Sequence, residues 1–348
     1  MIDVAFAIPG DITLATGGYA YDRRVMALLS ALGIGVRHLA LPGSFPAPTK
    51  ADIEETQRLL SDVPPETIIL ADGLAYGAMP AALISSLRTP IVALVHHPLC
   101  LEAGLAKSRQ DELFALEKAA LALARHVIVT SPSTARTLID DFAIPTDKIT
   151  VAEPGTDSAG RAKGTGKPLQ LLSVGSVVPR KALDILVRAL ALVPNTDWRL
   201  TIVGQLDRSA EALTALKTAI AETGLGPRIV LAGPADSEQL DVHYAATDVF
   251  VLPSLYEGYG MVLAEAMARG LPIVCTTGGA AAATVPDAAA LKVDPGDAKA
   301  LSVALQRVLD DAALRRRMSD AAWTAGQNLP RWEDTARIVA GAIRNVAS

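Results

Sequence analysis

Residues 249–272 read VFVLPSLYEGYGMVLAEAMARGLP. The run Val249 to Leu252 is short and wholly apolar, as a strand buried on both faces requires, and Pro253 ends it. Gly258 and Gly260 permit a tight turn. Good helix formers follow over 261–269, until Gly270 stops them. A strand that feeds a helix through a short loop is the repeating unit of a parallel sheet wrapped by helices.

The same alternation extends in both directions. Apolar strand segments are predicted at 169–174, 198–203, 228–232, 273–276 and 290–293, with helices at 182–193, 209–223, 297–310 and 312–325. Toward the amino terminus, strands are predicted at 2–8, 36–41, 67–71, 91–95 and 126–130. A helix over 19–32 is closed by Gly33. Segment 42–66 is less regular, because Pro42, Pro46, Pro48, Pro64 and Pro65 bracket a short helical stretch. Between the two series, Pro154 to Pro168 is polar and glycine-rich without apolar period, the texture of a linker. The expected fold class is α/β: two Rossmann-like doubly wound domains, 1–163 and 164–329, facing each other across a cleft. The segment 330–348 supplies a last helix at 332–346, able to pack on either domain.

Length and composition agree with that division. The 348 residues are half apolar and one fifth charged, enough for two cores of about 170 residues each. The formal charge is −5, and the first 165 residues carry fourteen Lys/Arg against eighteen Asp/Glu. A nucleic-acid partner needs a concentrated basic face, which is absent here. No apolar run reaches the roughly 18 residues of a membrane span, and the first residues read as a buried strand without a basic leader. The expectation is a soluble cytoplasmic protein. Cys100 and Cys275 lie far apart without a C-x-x-C partner and read as reduced core residues.

The opening stretch also carries chemistry. A glycine-flanked turn into a helix presents unpaired backbone amides and the positive end of the dipole, which suits a diphosphate. The amides concerned belong to the turn Gly258, Tyr259, Gly260 and to Met261 and Val262. Glu257 precedes the turn and can reach past such phosphates. Glu265 lies roughly 6 Å into the helix, among Ala and Met, a costly place for a carboxylate that has no partner. There it can accept hydrogen bonds from paired hydroxyls such as those of a ribose.

Three blocks together resemble the retaining glycosyltransferases of the GT-B fold, glycosyltransferase family 4. They are Glu257 to Glu265, Val174-Gly175-Ser176-Val177-Val178-Pro179-Arg180-Lys181-Ala182, and the Gly17-Gly18 loop combined with His96-His97-Pro98. The resemblance implies that Gly175 and Lys181 grip a donor diphosphate, the ammonium acting as a point charge. It also implies an arginine where this chain has Ser176. Arg180, one residue before Lys181, is the candidate replacement, and Ala182 stands where a glycine is usual. The family's glutamate after Gly278-Gly279 is absent from the alanine run 280–283.

By the same resemblance Gly17 and Gly18 approach the donor diphosphate, and His96 meets the reacting sugar, with His97 beside it as the alternative. Residues 102–117, with Glu102, Lys107, Arg109, Glu112 and Glu117, read as a solvated helix face. The nucleobase is expected against backbone near Leu231-Ala232-Gly233. The implied reaction moves a hexose from a UDP- or GDP-sugar to a hydroxyl and forms an α-glycoside, with Glu257, His96 and Lys181 as catalytic residues. No Asp-x-Asp pattern occurs, so neither metal nor other cofactor is expected. A carbohydrate or small-molecule acceptor is favoured, while a lipid acceptor and peripheral membrane contact stay open. A nucleotide-sugar epimerase and a nucleotide-sugar-binding protein without catalysis are the alternatives.

Overall fold

The computed structural model describes residues 2–194 and 196–347, so Met1, Asn195 and Ser348 lie outside the described residues. The chain forms two compact units. One runs up to Gly155 and takes in the segment from Pro330; the other is Thr156–Leu329.

The first unit is a six-stranded sheet, with every pairing parallel, built from β1 (Ile2–Pro9), β2 (Ile34–Leu41), β3 (Ile68–Asp72), β4 (Ile91–Val95), β5 (His126–Val129) and β6 (Ile149–Val151). Its strand order is β2-β1-β3-β4-β5-β6. β3 and β4 are buried at every residue, which is why their sequences show no polar alternation. The chain reverses direction across the sheet at β1 and β3, and the crevice beyond the carboxyl ends of such strands is where α/β proteins place ligands. The helix Trp332–Ala347 belongs to this unit; its Trp332 ring meets Tyr21 edge-on, and Thr335 donates to the Glu153 carbonyl at 2.6 Å.

The second unit repeats the plan with β7 (Leu169–Val174), β8 (Trp198–Val203), β9 (Ile229–Gly233), β10 (Val249–Leu252), β11 (Ile273–Thr276) and β12 (Ala290–Val293). The order is β12-β11-β10-β7-β8-β9. Its switch point therefore lies between β7 and β10, the strands that lead into the Gly175–Lys181 and Glu257–Glu265 segments.

Residues 156–166 carry no regular structure. Ala162, Lys163 and Gly164 donate backbone hydrogen bonds to Arg269 and Ala245 of the second unit. By contacts the division thus falls at 155/156, upstream of the 163/164 expected from composition. Gly17 and Gly18 are the first residues of the helix Gly17–Leu29, capped by Thr16, and not part of a preceding loop. The sequence reading left unassigned β6 and the helices Pro132–Asp140 and Ser237–Ala245. Both cysteines are buried and free. Among the described residues no helix is long and apolar enough to cross a membrane.

One residue of the supposed solvated face is misread. Glu117, on the helix Lys107–Leu123, is fully buried. One carboxylate oxygen accepts from the Leu99 amide at 2.8 Å, and the other has no partner among the described residues. Burial pushes its pKa up to about 8 from 4.5, against the pull of the Leu99 bond. A folded pKa above the unfolded one contributes stability below pH 4.5 that is lost as pH rises through about 8. Glu117→Gln keeps an acceptor for Leu99 and cannot ionise. Its thermal stability should fall less from mildly acidic to alkaline pH than that of the wild type. Parallel curves for the two proteins would refute the assignment.

Candidate functional site

In the second unit, β7 delivers Gly175 and a loop that ends in a short 3-10 turn, Pro179–Lys181. Ala182 closes that turn with left-handed backbone, φ 48° and ψ 40°. An L residue bears strain there that a glycine would not. This accounts for the glycine usual at the position and shows that the alanine keeps the turn. Gly175 has φ 151°, a backbone conformation that L side chains rarely adopt, and a Cβ there would stand 2.9 Å from Lys181 Cε.

The turn aims both basic side chains at the loop after β10. Lys181 Nζ lies 2.6 Å from Glu257 Oε1, and Arg180 Nη1 lies 3.3 Å from Glu257 Oε2. Arg180 also donates to the Tyr256 carbonyl at 2.7 Å, and its own carbonyl accepts from the Leu255 amide at 2.8 Å. Glu257 is buried. Burial disfavours its carboxylate, but Lys181 and then Arg180 outweigh that and hold its pKa down to about 2. Arg180 is thus turned into the site and is not a solvated helix-start residue. Ser176 is partly exposed.

Gly278 and Gly279 lie directly beneath this loop. The Glu257 amide donates to the Gly278 carbonyl, and the Ala280 amide donates to the Glu257 carbonyl at 2.8 Å. A Cβ at Gly279 would come within 2.3 Å of the Glu257 carbonyl oxygen. The glycine pair therefore fixes the height of Glu257, and its role does not depend on the alanines that follow.

Gly260, with φ 90°, starts the helix Met261–Ala268 and supplies no side-chain cap. The first amides of that helix are left to other partners, as at any uncapped helix start. One turn on, Glu265 Oε2 accepts from the Tyr244 hydroxyl at 2.8 Å, and Arg269 stacks over the Tyr244 ring at 4.4 Å. Burial raises the Glu265 pKa, and the Tyr244 bond partly offsets the rise. Tyr244 itself is fully buried. It was not singled out in the sequence, where it sits in an unremarkable helix beside Phe250.

In the first unit, His96 directly follows the last residue of β4, Val95. Its Nε2 lies 3.2 Å from Asp22 Oδ1 and 3.6 Å from Asp72 Oδ2. Asp22 comes from the helix Gly17–Leu29, and Asp72 ends β3, where its other oxygen caps the next helix through the Leu74 amide. Burial opposes charge on the imidazole, but Asp22 and then Asp72 override it and raise its pKa to about 10. The three ligand atoms lie within 4.8 Å of one another, compact enough to admit a cation. As the groups stand, however, both acids face the Nε2 edge of the ring. Gly18 packs on that ring, where a Cβ would lie 3.3 Å from Cδ2. His97 instead pairs with Glu102 at 3.1 Å. Neither Asp22 nor Asp72 was read from the sequence; the available signal was an acid at a strand's carboxyl end and another on the first helix.

Two family descriptions match the chain: "Glycosyltransferase Family 4" over residues 12–159 and "Glycosyl transferases group 1" over residues 159–324. A D-inositol 3-phosphate glycosyltransferase of Pseudarthrobacter chlorophenolicus is 32% identical over 62% of this chain and 54% of its own. An MMP alpha-(1->4)-mannosyltransferase of Mycolicibacterium hassiacum is 27% identical over 73% of this chain and 64% of its own. The chain spans between about half and two thirds of the length of these relatives. Among solved structures, sucrose-phosphate synthase from Thermosynechococcus elongatus superposes with a TM-score of 0.83 at 24% identity, covering 99% of each chain. Anabaena HepE in complex with UDP-glucose gives a TM-score of 0.77 at 18% identity, covering 99% of this chain and 100% of that one. These likenesses show a GT-B fold.

Proposed function

Because the chain belongs to glycosyltransferase family 4, we propose that it moves a hexose from a UDP- or GDP-sugar to a hydroxyl acceptor, with retention and without a divalent metal. The observation that carries this reading is the Lys181–Glu257–Arg180 cluster at the switch point of the second unit. It sets two cations beside an uncapped helix start, which suits a diphosphate whose charge grows as the sugar leaves. In this reading Arg180 supplies the cation missing at Ser176. The Gly258–Val262 amides take the phosphates, Glu257 a sugar hydroxyl and Glu265 the ribose. Gly17 and Gly18 contact the donor diphosphate through their backbone, and His96 donates to a hydroxyl of the reacting sugar. The leaving phosphate accepts the acceptor's proton. The HepE crystal structure is a complex with UDP-glucose, which supports the donor class. The named relatives support a carbohydrate or small-molecule acceptor.

Thermal-shift screening against UDP, GDP, ADP and their sugars tests the donor site, because specific binding raises the unfolding temperature by mass action. Donor turnover in EDTA and the anomeric configuration of the product test the remainder. Failure of every nucleotide to stabilise the protein would overturn the proposal.

Tyr244 follows from the same reading. With Tyr244→Phe, Glu265 loses the bond that orients it, so donor KM should rise about three- to tenfold with kcat nearly unchanged. A fall in kcat at constant KM would contradict the ribose assignment.

A further inference from the structure

His96 is held from two separate elements. Its Nε2 faces Asp22 on the helix Gly17–Leu29 and Asp72 at the end of β3. Tyr21, from the same helix as Asp22, meets the ring edge-on with centroids 5.3 Å apart. The Thr130 hydroxyl holds the His96 carbonyl at 3.1 Å, and Gly18 leaves no room on the remaining flank. Among the described residues, the groups that face the imidazole are two carboxylates and one phenol ring. Among the described residues Nδ1 has no hydrogen-bond partner, and about a fifth of the side chain is exposed.

Asp22 is hard to explain as a structural residue. It is fully buried, and its Oδ2 lies without a partner among the described residues. An unpaired buried carboxylate oxygen costs stability, and an apolar side chain would fill the same helix position without that cost. Asp72 differs, because it also caps a helix. Of the two acids, only Asp22 has the imidazole as its principal partner.

We propose that Asp22 is a positioning residue for transfer: with Asp72 it fixes His96 as an imidazolium whose Nε2–H is turned into the protein and whose Nδ1–H is left to donate to a reactant. The inference rests on the assignment of His96 to the reacting sugar, and it adds a direction of action. His96 serves as a hydrogen-bond donor throughout the working range and not as a base that titrates near neutrality. Asp22 and Asp72 lift the imidazole pKa well above the ordinary 6.5, while burial raises that of Asp22 itself to about 7, so any wild-type ionisation near pH 7 belongs to Asp22 and not to the ring. Removing Asp22 takes away the strongest lifting charge, and burial then pulls the imidazole back toward neutrality.

The test is the pH dependence of kcat/KM for wild type and Asp22→Asn, together with the ring nitrogen NMR signals of His96 in the wild-type protein. The expected result for Asp22→Asn is near-wild-type transfer on the acid side and a loss of about tenfold or more as pH rises through neutrality. The wild-type ring signals should remain those of an imidazolium across the same range, a readout independent of whether the variant folds. A loss equal at every pH would mark Asp22 as merely structural and overturn the proposal. So would a wild-type ring that titrates with an ordinary pKa. Full transfer by His96→Ala would overturn the His96 assignment beneath it, and that outcome is distinguishable because the ring signals do not depend on turnover.

Discussion

Lys181→Ala is expected to lower kcat/KM by about two to three orders of magnitude while the protein stays folded. The ammonium sits 2.6 Å from Glu257 with only 11% of its side chain exposed, so water cannot take its place. Two losses combine. A diphosphate that develops charge in a dry site loses its point cation. Glu257 is then left buried beside Arg180 alone. The second loss has its own signature. Glu257 has a folded pKa near 2 against 4.5 unfolded, so it contributes stability above pH 4.5 that is lost as pH falls toward 2. Without Lys181 burial lifts the carboxyl pKa, and the acid-unfolding midpoint should move to higher pH. Lys181→Arg should recover part of the acid stability and little of the transfer, because a planar fork does not reproduce a compact ammonium. A kcat/KM for Lys181→Ala within about tenfold of wild type would remove Lys181 from the donor site.

What the sequence disclosed of this arrangement follows a physical rule. Strands buried on both faces appear as mainly apolar runs, as 91–95 and 273–276 do for β4 and β11; 169–174, 198–203 and 290–293 coincide with β7, β8 and β12 although Gln170, Arg199 and Lys292 interrupt them. Their edges are set locally by Pro, Gly or charge. The helix Ser237–Ala245 escaped notice because its apolar residues keep no face, although the capping box formed by Asp236 and Gln239 marked its start. Arg180 could not be aimed from sequence, because its direction depends on the left-handed backbone at Ala182. Asp22 was hidden in Tyr21-Asp22-Arg23-Arg24, which reads as a polar helix surface. Only the sheet order, with β1, β3 and β4 side by side, brings it to Asp72 and His96. Glu117 was hidden for the same reason, since its partner is the Leu99 amide, at the start of a 3-10 turn eighteen residues upstream.

Glu257→Gln separates donor binding from transfer more sharply than any change to the cations. Without donor, the single carboxylate pairs with both Lys181 and Arg180 and offsets one of their two positive charges. A nucleoside diphosphate must therefore compete with an internal anion for the same two charges. Glutamine keeps the side-chain volume and one carbonyl oxygen but removes that competitor. UDP or GDP should then bind the variant about three- to tenfold more tightly than wild type, with the gain shrinking as salt screens the cations. Transfer should nevertheless fall by about two orders of magnitude or more, because an amide cannot hold a sugar hydroxyl with a charged acceptor's strength as the leaving group departs. Calorimetric titration and turnover on the same preparation decide the matter. Near-wild-type turnover would dismiss Glu257 from the reaction. Weaker nucleotide binding together with lost turnover would mean that Glu257 works by holding Lys181 and Arg180 in place, and the sugar hydroxyl would have to be assigned to another group.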